Sequence, residues 1–225
     1  MEIEIRTNVS SKKINVENSI TSLESNDESV VKHLINDYKP IVIDNTNLFF
    51  LGKTVLDEIS SYATYPELTI CYDVLKILEL YNTFMDKEID KLSTTEKIYL
   101  NILRNISKTN EIIVFTNIFL GLDYKNQKKI IKLINYLKDK MIVIILSDDV
   151  NYLYKYSDNS IIVSKRIIKF GKCDDIYEDV KTLIKLKLDI PDLCYITYKA
   201  KEEKNVKLFY SKDVRDIIKD IYKHV

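Results

Sequence analysis

The chain has 225 residues but only three glycines, where average usage of about 7% would give roughly 16, so chemistry built on a glycine-rich loop starts at a disadvantage. Its 34 Lys and Arg balance 34 Asp and Glu, which leaves no global basic field to attract nucleic acid, and 46% hydrophobic residues are enough to bury the core of one or two domains. The longest apolar run, Met141 to Leu146, falls far short of the roughly 20 residues that cross a membrane. The acidic start MEIEIR is no signal peptide, so a cytoplasmic chain is expected. Cys71, Cys173 and Cys194 lack C-x-x-C spacing, and His33 and His224 are the only histidines, so no metal site is expected.

Four Ile- and Val-rich runs, Ile20 to Leu23, Ile41 to Ile43, Ile112 to Phe115 and Met141 to Leu146, read as strands. They are continuously apolar rather than alternating, as strands buried on both faces are, which predicts an α/β fold with a mostly parallel sheet. Residues 67–106 carry two helical patterns, around Val74 to Leu80 and around Ile98 to Leu103, and read as a helical insertion. Tyr124 to Lys140 reads as a crossover helix whose Lys125, Lys128, Lys129 and Lys132 mark a solvated face. Ile161 to Val163 and Ile167-Ile168 flank Ser164-Lys165-Arg166 as a hairpin ending at Gly171. Beyond Cys173 the spacing predicts a helix from Ile176 to Leu186, a break at Pro191, a short segment to Lys199, and a last helix from about Lys212 capped by Ser211.

The order Leu92-Ser93-Thr94-Thr95-Glu96, helix, strand 112–115, Gly121-Leu122-Asp123, helix, strand 141–146, Ser147-Asp148-Asp149 resembles the second half of an ABC-transporter nucleotide-binding domain. These positions correspond to its signature, Walker B strand, D-loop and H-loop. The tail Leu186-Lys187-Leu188-Asp189-Ile190-Pro191, and Thr54-Val55-Leu56-Asp57-Glu58-Ile59 upstream, are similar to the energy-coupling-factor ATPases that serve cobalt and vitamin importers. The resemblance covers about residues 41 to 210 and implies a P-loop-NTPase-like (RecA-like) domain over 1–172, with a helical subdomain at about 66–110. A C-terminal α-rich extension over 173–225 is then expected to serve dimerisation.

The chemistry of that family needs residues this chain lacks. A Walker A loop uses glycines to close backbone N–H groups around phosphate, a Lys for charge, and a Ser or Thr for magnesium. The counterpart here is Ser22-Leu23-Glu24-Ser25-Asn26-Asp27-Glu28-Ser29, with Glu28 at the lysine position and only Ser29 matching. At about 4 Å a like-charge pair costs on the order of 1 kcal/mol in water and up to about 4 at an effective dielectric of 20, so Asp27 and Glu28 should repel polyphosphate. The same segment fits a helix start, Ser25 and Glu28 forming a capping box. By the resemblance, the magnesium-binding Asp aligns with Thr116, the catalytic Glu with Asn117, the γ-phosphate-contacting His with Asp148, and the Q-loop Gln with Asp44. Asn cannot take a proton from an attacking water, and Thr anchors magnesium poorly. The aromatic that stacks on the base is also missing, since the first aromatic is Tyr38.

In ABC dimers the signature of one subunit closes over ATP held by the other. Ser93, Thr94, Thr95 and Asp123 are therefore the positions that the resemblance would place against nucleotide in trans. Each also has a plainer reading, Ser93 with Glu96 as a capping box and Asp123 as the N-cap of the next helix. Only 15 residues separate Glu28 from Asp44, too few for the antiparallel strands the family places there, so that part is expected to be trimmed.

The resulting expectation is a catalytically degenerate ABC ATPase-like subunit of an energy-coupling-factor-type importer. It would hold no cofactor at its own site, with ATP and magnesium at a composite site shared with an intact ATPase partner, or else form a homodimer. It would sit beside a membrane component, at the inner face of the cell membrane. The alternatives are a scaffold protein on the same fold, its sixteen tyrosines forming a binding surface or merely reflecting a biased composition, and an active ATPase with unorthodox site residues.

Overall fold

The computed structural model describes residues 2–16, 18–46, 48–61, 65–80, 82–106 and 110–223, with backbone only at 65–70 and 82. His224, and residues 47, 81 and 107–109 of the stretches discussed above, lie outside the described residues. The chain divides into two compact units, one of residues 1–16, 21–37 and 147–225, the other of residues 17–20 and 38–146.

The first unit opens with β1 (Glu2–Arg6) and β2 (Ser11–Asn15), an antiparallel hairpin with Glu2 opposite Asn15. Ile3, Ile5 and Ile14 are buried along one face, and the Thr7 hydroxyl accepts the Val9 and Ser10 amides in the turn. None of the runs read as strands covers this hairpin. Its signal is the period-two alternation of Glu-Ile-Glu-Ile-Arg, the pattern of a strand with one buried face rather than of a continuously apolar one. Next come β3 (Ile20–Ser25) and α1 (Ser29–Tyr38), which buries Val30 and Leu34.

The second unit begins at β4 (Ile41–Asp44), two residues after α1, so no antiparallel strand intervenes and the expected trimming is observed. Then follow α2 (Val55–Ser60), α3 (Tyr65–Ile77), two short 3-10 turns at Asn82–Phe84 and Ile89–Lys91, and α4 (Thr94–Ile106). After these come β5 (Ile112–Thr116), α5 (Tyr124–Leu137) and β6 (Ile142–Leu146), which starts one residue later than expected. β5 pairs in parallel with both β4 and β6. α4 packs on β4 and α5 on β6, while α3 packs against both helices. The helical pattern read as far as Leu80 stops at Ile77, where Glu79 takes a left-handed φ of 57°. Lys129, assigned to the solvated face, is turned inward instead, donating to the Leu78 carbonyl at 3.0 Å and pairing with Glu79 at 3.1 Å.

A buried polar centre joins the helices of this unit. Glu58, 1% exposed, accepts the Leu51 and Gly52 amides at 2.9 and 2.7 Å and pairs with Arg104 at 2.9 Å. Arg104 also donates to the Phe49 carbonyl and to Asn101 Oδ1, and Asn101 Nδ2 donates to the Asp44 carbonyl. These hydrogen bonds and the Arg104 charge hold the Glu58 carboxyl below its usual range although burial pushes it up.

The chain then returns to the first unit with α6 (Val150–Tyr156), β7 (Asn159–Ser164) and β8 (Ile167–Lys172). β7 runs parallel to β3 and antiparallel to β8, and the turn is Lys165-Arg166, one residue shorter than the expected Ser164-Lys165-Arg166 because Ser164 still pairs with Ile167; Lys165 has φ 48°. The single tail helix expected from Ile176 to Leu186 is two, α7 (Cys173–Glu178) and α8 (Val180–Leu186), because Asp179 leaves the helical conformation and caps α8 by accepting the Thr182 amide. The segment to Lys199 is part of a full helix, α9 (Asp192–Lys204), started by Pro191. α10 (Val214–Ile221) is capped by Asp213, which accepts the Arg215 amide, and not by Ser211, whose hydroxyl accepts the amide of Asp213 itself. The three cysteines are buried and none is in a disulfide.

A Cβ built on Gly52 would lie 2.7 Å from the Glu58 backbone nitrogen, whereas one on Gly121 meets nothing within 4 Å and is opposed only by φ +75°. G52A is therefore expected to cost about 1–3 kcal/mol by overpacking and G121A about 1 kcal/mol by backbone strain, with the order read from urea midpoints.

Candidate functional site

The segment aligned with a phosphate loop, Ser22 to Ser29, does not follow a strand but overlaps one: β3 stays extended through Ser25, leaving only residues 26–28 to turn into α1. The turn that begins α1 is built on short polar side chains. Ser25 Oγ accepts the Asp27 amide, and Asp27 Oδ1 accepts the Ser29 amide, each at 3.0 Å. Asp27 is thus the helix cap, held below the usual carboxylate range by the Ser29 hydroxyl and amide. The expected Ser25–Glu28 capping box does not form. The Glu28 side chain is 93% exposed and approaches only Lys32, at 3.8 Å.

Glu24 and Asn26 tie the same turn to the C-terminal part of the unit. Asn26 Nδ2 donates to Ser164 Oγ at 3.2 Å and to the Leu186 carbonyl at 3.3 Å, and Glu24 Oε1 accepts the Asp189 amide at 2.8 Å. Burial raises the Glu24 carboxyl to about 7, the Asp189 charge adds to the rise, and the Tyr177 hydroxyl and Asp189 amide oppose it. Sequence reading weighed Asp27 and Glu28 as charges and attached no role to Glu24 or Asn26, because their partners lie more than 130 residues away.

In the second unit, β-register places Asp44 directly beside Thr116. Asp44 Oδ1 accepts the Thr46 amide at 2.8 Å, and Asn45 Nδ2 donates to the Ile118 carbonyl at 3.2 Å. Asn117 takes a left-handed φ of 50°, which asparagine tolerates better than most side chains, donates its amide to the Leu146 carbonyl and accepts the Leu120 amide. Glu28, Ser29 and Asp148 belong to the first unit. Asp148 is exposed just ahead of α6, whose cap is its neighbour Asp149.

Ser93, Thr94, Thr95 and Asp123 all stand at helix starts. The Ser93 amide and hydroxyl donate to Glu96 Oε2 at 2.9 and 2.8 Å, and the Glu96 amide returns a bond to Ser93 Oγ at 3.3 Å, completing a capping box for α4. Asp123 Oδ1 accepts the Asn126 amide and caps α5. Asn126 in turn donates its side-chain amide to Asp123 Oδ2 and accepts the Tyr99 hydroxyl of α4 at 2.7 Å, so the starts of the two helices are linked by a short chain of polar groups. Burial, helped by the Asp123 charge, pushes the Tyr99 hydroxyl up to about 12. Ser93, Thr94 and Asp123 remain exposed. Among the described residues no group of acidic, histidine or cysteine side chains could hold a metal.

Two neighbouring acids are thereby assigned different work. D27A should lower stability by about 1 kcal/mol through loss of the α1 cap, while E28A should stay within roughly 0.5 kcal/mol, both read from denaturant midpoints.

The sequence matches no protein-family model. It is 27% identical over 126 residues to the energy-coupling factor transporter ATP-binding protein EcfA2 of Clostridium acetobutylicum, covering 55% of this chain and 44% of that one. It is 29% identical over 174 residues to EcfA of Methanosphaera stadtmanae, covering 74% and 62%. The chain thus spans roughly half of the curated relatives it matches. Among solved structures, cbiO1 of Clostridium perfringens, part of the ABC transporter complex cbiONQ, superposes with TM-score 0.61 at 15% identity, covering 88% of this chain and 96% of that one. A dimeric ATP-binding cassette bound to ADP and phosphate superposes with TM-score 0.54 at 15% identity, covering 76% and 96%. The relatives of this chain are ABC-transporter ATP-binding subunits, mainly of the energy-coupling-factor group, and its fold is that of the ABC ATPase domain.

Proposed function

We propose that the chain is an ATP-binding-type subunit of an energy-coupling-factor importer whose own nucleotide site is degenerate and which works as the partner of an intact ATPase subunit. The observation that carries this reading is the start of α1. In a working phosphate loop the first amides of the helix point at the ligand, whereas here the Ser29 amide is taken by the chain's own Asp27 carboxylate, with Glu28 exposed beside it. Thr116 and Asn117 at the end of β5 and Asp148 before α6 offer neither a magnesium-binding carboxylate with a general base nor a histidine, which agrees with that reading.

In this assembly ATP and magnesium belong to a composite site. The partner supplies the phosphate loop, and this chain closes over it with Ser93, Thr94, Thr95 and Asp123. Apolar residues left exposed suit two contacts of such a subunit. Phe49, Leu51 and Leu56 would meet a membrane component, and Val214, Ile218 and Tyr222 around α10 would extend a dimer contact. No described helix is long and apolar enough to cross a membrane, so the chain itself would work from the cytoplasmic side of a separate membrane subunit.

Calorimetric titration of the purified chain with Mg-ATP should give no saturable heat, and clear saturable binding would overturn the proposal. In an assembly with an intact ATPase subunit, S93A and D123A should each lower ATP turnover by roughly tenfold, or about 1.4 kcal/mol of transition-state stabilisation. Unchanged turnover would confine both residues to helix capping.

A further inference from the structure

In the C-terminal part of the first unit, opposite charges face one cavity without pairing across it. The cavity holds about 300 Å³ and is walled by Glu178 of α7, Thr197 and Lys201 of α9, and the segment from Lys207 to Tyr210. Glu178 is half-buried, yet its carboxylate has no hydrogen bond or ion pair among the described residues. Burial raises this carboxyl above its usual range, Asp174 and Asp175 add to the rise, and Lys212 opposes it. Lys212 is itself engaged elsewhere, with Asp174 at 2.9 Å and the Ser157 carbonyl at 3.1 Å. Lys201 and Lys207 are exposed and pair with no described carboxylate, Glu178 included. The walls are held in shape by bonds that leave all three charges free. The Val206 amide donates to the Ala200 carbonyl at 3.1 Å, the Phe209 amide to the buried Asp220 at 2.9 Å, and the Thr197 hydroxyl to the Leu193 carbonyl at 2.9 Å. Although its backbone is anchored in this way, the Phe209 side chain is left 71% exposed, between the buried Leu208 and the half-buried Tyr210.

Filling such a cavity strips water from every charge that lines it, so an occupant is favoured only if it returns a partner to each. An anion would answer the two lysines and leave Glu178 against like charge, and a simple amine would do the reverse. A molecule with one charge of each sign answers both walls, and the volume, at the lower end of the roughly 300–1,000 Å³ of ligand pockets, limits it to a small one. We propose that this cavity binds a small zwitterion with an apolar body, of the α-amino acid class, with its ammonium on Glu178 and its carboxylate on Lys201 and Lys207. The apolar body lies against Phe209, Tyr210 and Leu208, on a wall that is already ordered before the ligand arrives. None of the positions aligned with the nucleotide site lines the cavity, so its occupancy is independent of the function proposed above.

Calorimetric titration of the full chain with L-phenylalanine at neutral pH should give saturable one-site binding with a Kd of about 1 mM or tighter. Phenethylamine, which lacks the carboxylate, and 3-phenylpropionate, which lacks the ammonium, should each bind at least about tenfold more weakly. E178Q should erase the advantage of phenylalanine over 3-phenylpropionate, and K201A combined with K207A should erase its advantage over phenethylamine. F209A should weaken phenylalanine while leaving its ranking above both analogues. The substituted side chains are half-buried or exposed, so these variants should keep the wild-type urea midpoint, and the comparison of the three probes on the unaltered chain needs no variant. Absence of saturable phenylalanine binding would overturn the proposal. So would a single-charge analogue that binds as tightly as phenylalanine, or an E178Q chain that ranks the three probes as the wild type does.

Discussion

β5 is a strand that must be dry on both faces. Ile112, Ile113, Val114 and Phe115 are at most 1% exposed, and β4 and β6 flank it in parallel register. A parallel pair needs a crossover, and both faces need a cover, so α4 and α5 are demanded by the strand they serve. Their apolar stripes, Ile98, Ile102 and Leu103 on one and Ile130, Leu133, Ile134 and Leu137 on the other, answer that demand. The loops at the strand ends are then fixed in place whatever chemistry they carry. This explains how Asp44, Thr116 and Asn117 come to occupy ordered positions at the strand ends.

The polar groups of the second unit are subordinate to the same requirement. Glu58 is buried between helices, and its charge is tolerable only because Arg104 and two backbone amides meet it. Through Asn101, Arg104 also reaches the carbonyl of Asp44, so one ion pair orders α2, α4 and the end of β4 together. The first unit has a parallel arrangement in Glu24 and Asn26, with one difference. Burial raises the Glu24 carboxyl to about 7 with no cation among the groups acting on it, whereas Arg104 and two backbone amides hold the Glu58 carboxyl below its usual range.

Much of this was legible in the sequence because buried strands and crossover helices write themselves in runs of Ile, Val and Leu. The four continuous strands, the hairpin turn around Lys165-Arg166 and the helices on either side of β5 follow from spacing alone. What stayed hidden depended on single side chains choosing between local partners. Ser25, Asp27 and Glu28 are all competent to cap α1, and which one does so is decided by where β3 stops being extended. Asp179 splits one apolar helical pattern into two helices, and Ser211 yields its cap to Asp213 two residues on. The ties from Glu24 and Asn26 to the tail join residues too distant in sequence for any spacing rule to connect.

The cap on α1 also sets a toll on change. Any substitution that clears the carboxylate of Asp27 to admit an outside anion must give up the group that starts the helix, at about 1 kcal/mol, before an incoming phosphate could return the favour. Glu28, exposed beside Asp27 and 3.8 Å from Lys32, takes no part in that cap. The helix start is therefore a self-sealing fixture. A change at Asp27 makes the helix start less stable, which favours keeping that carboxylate where it is.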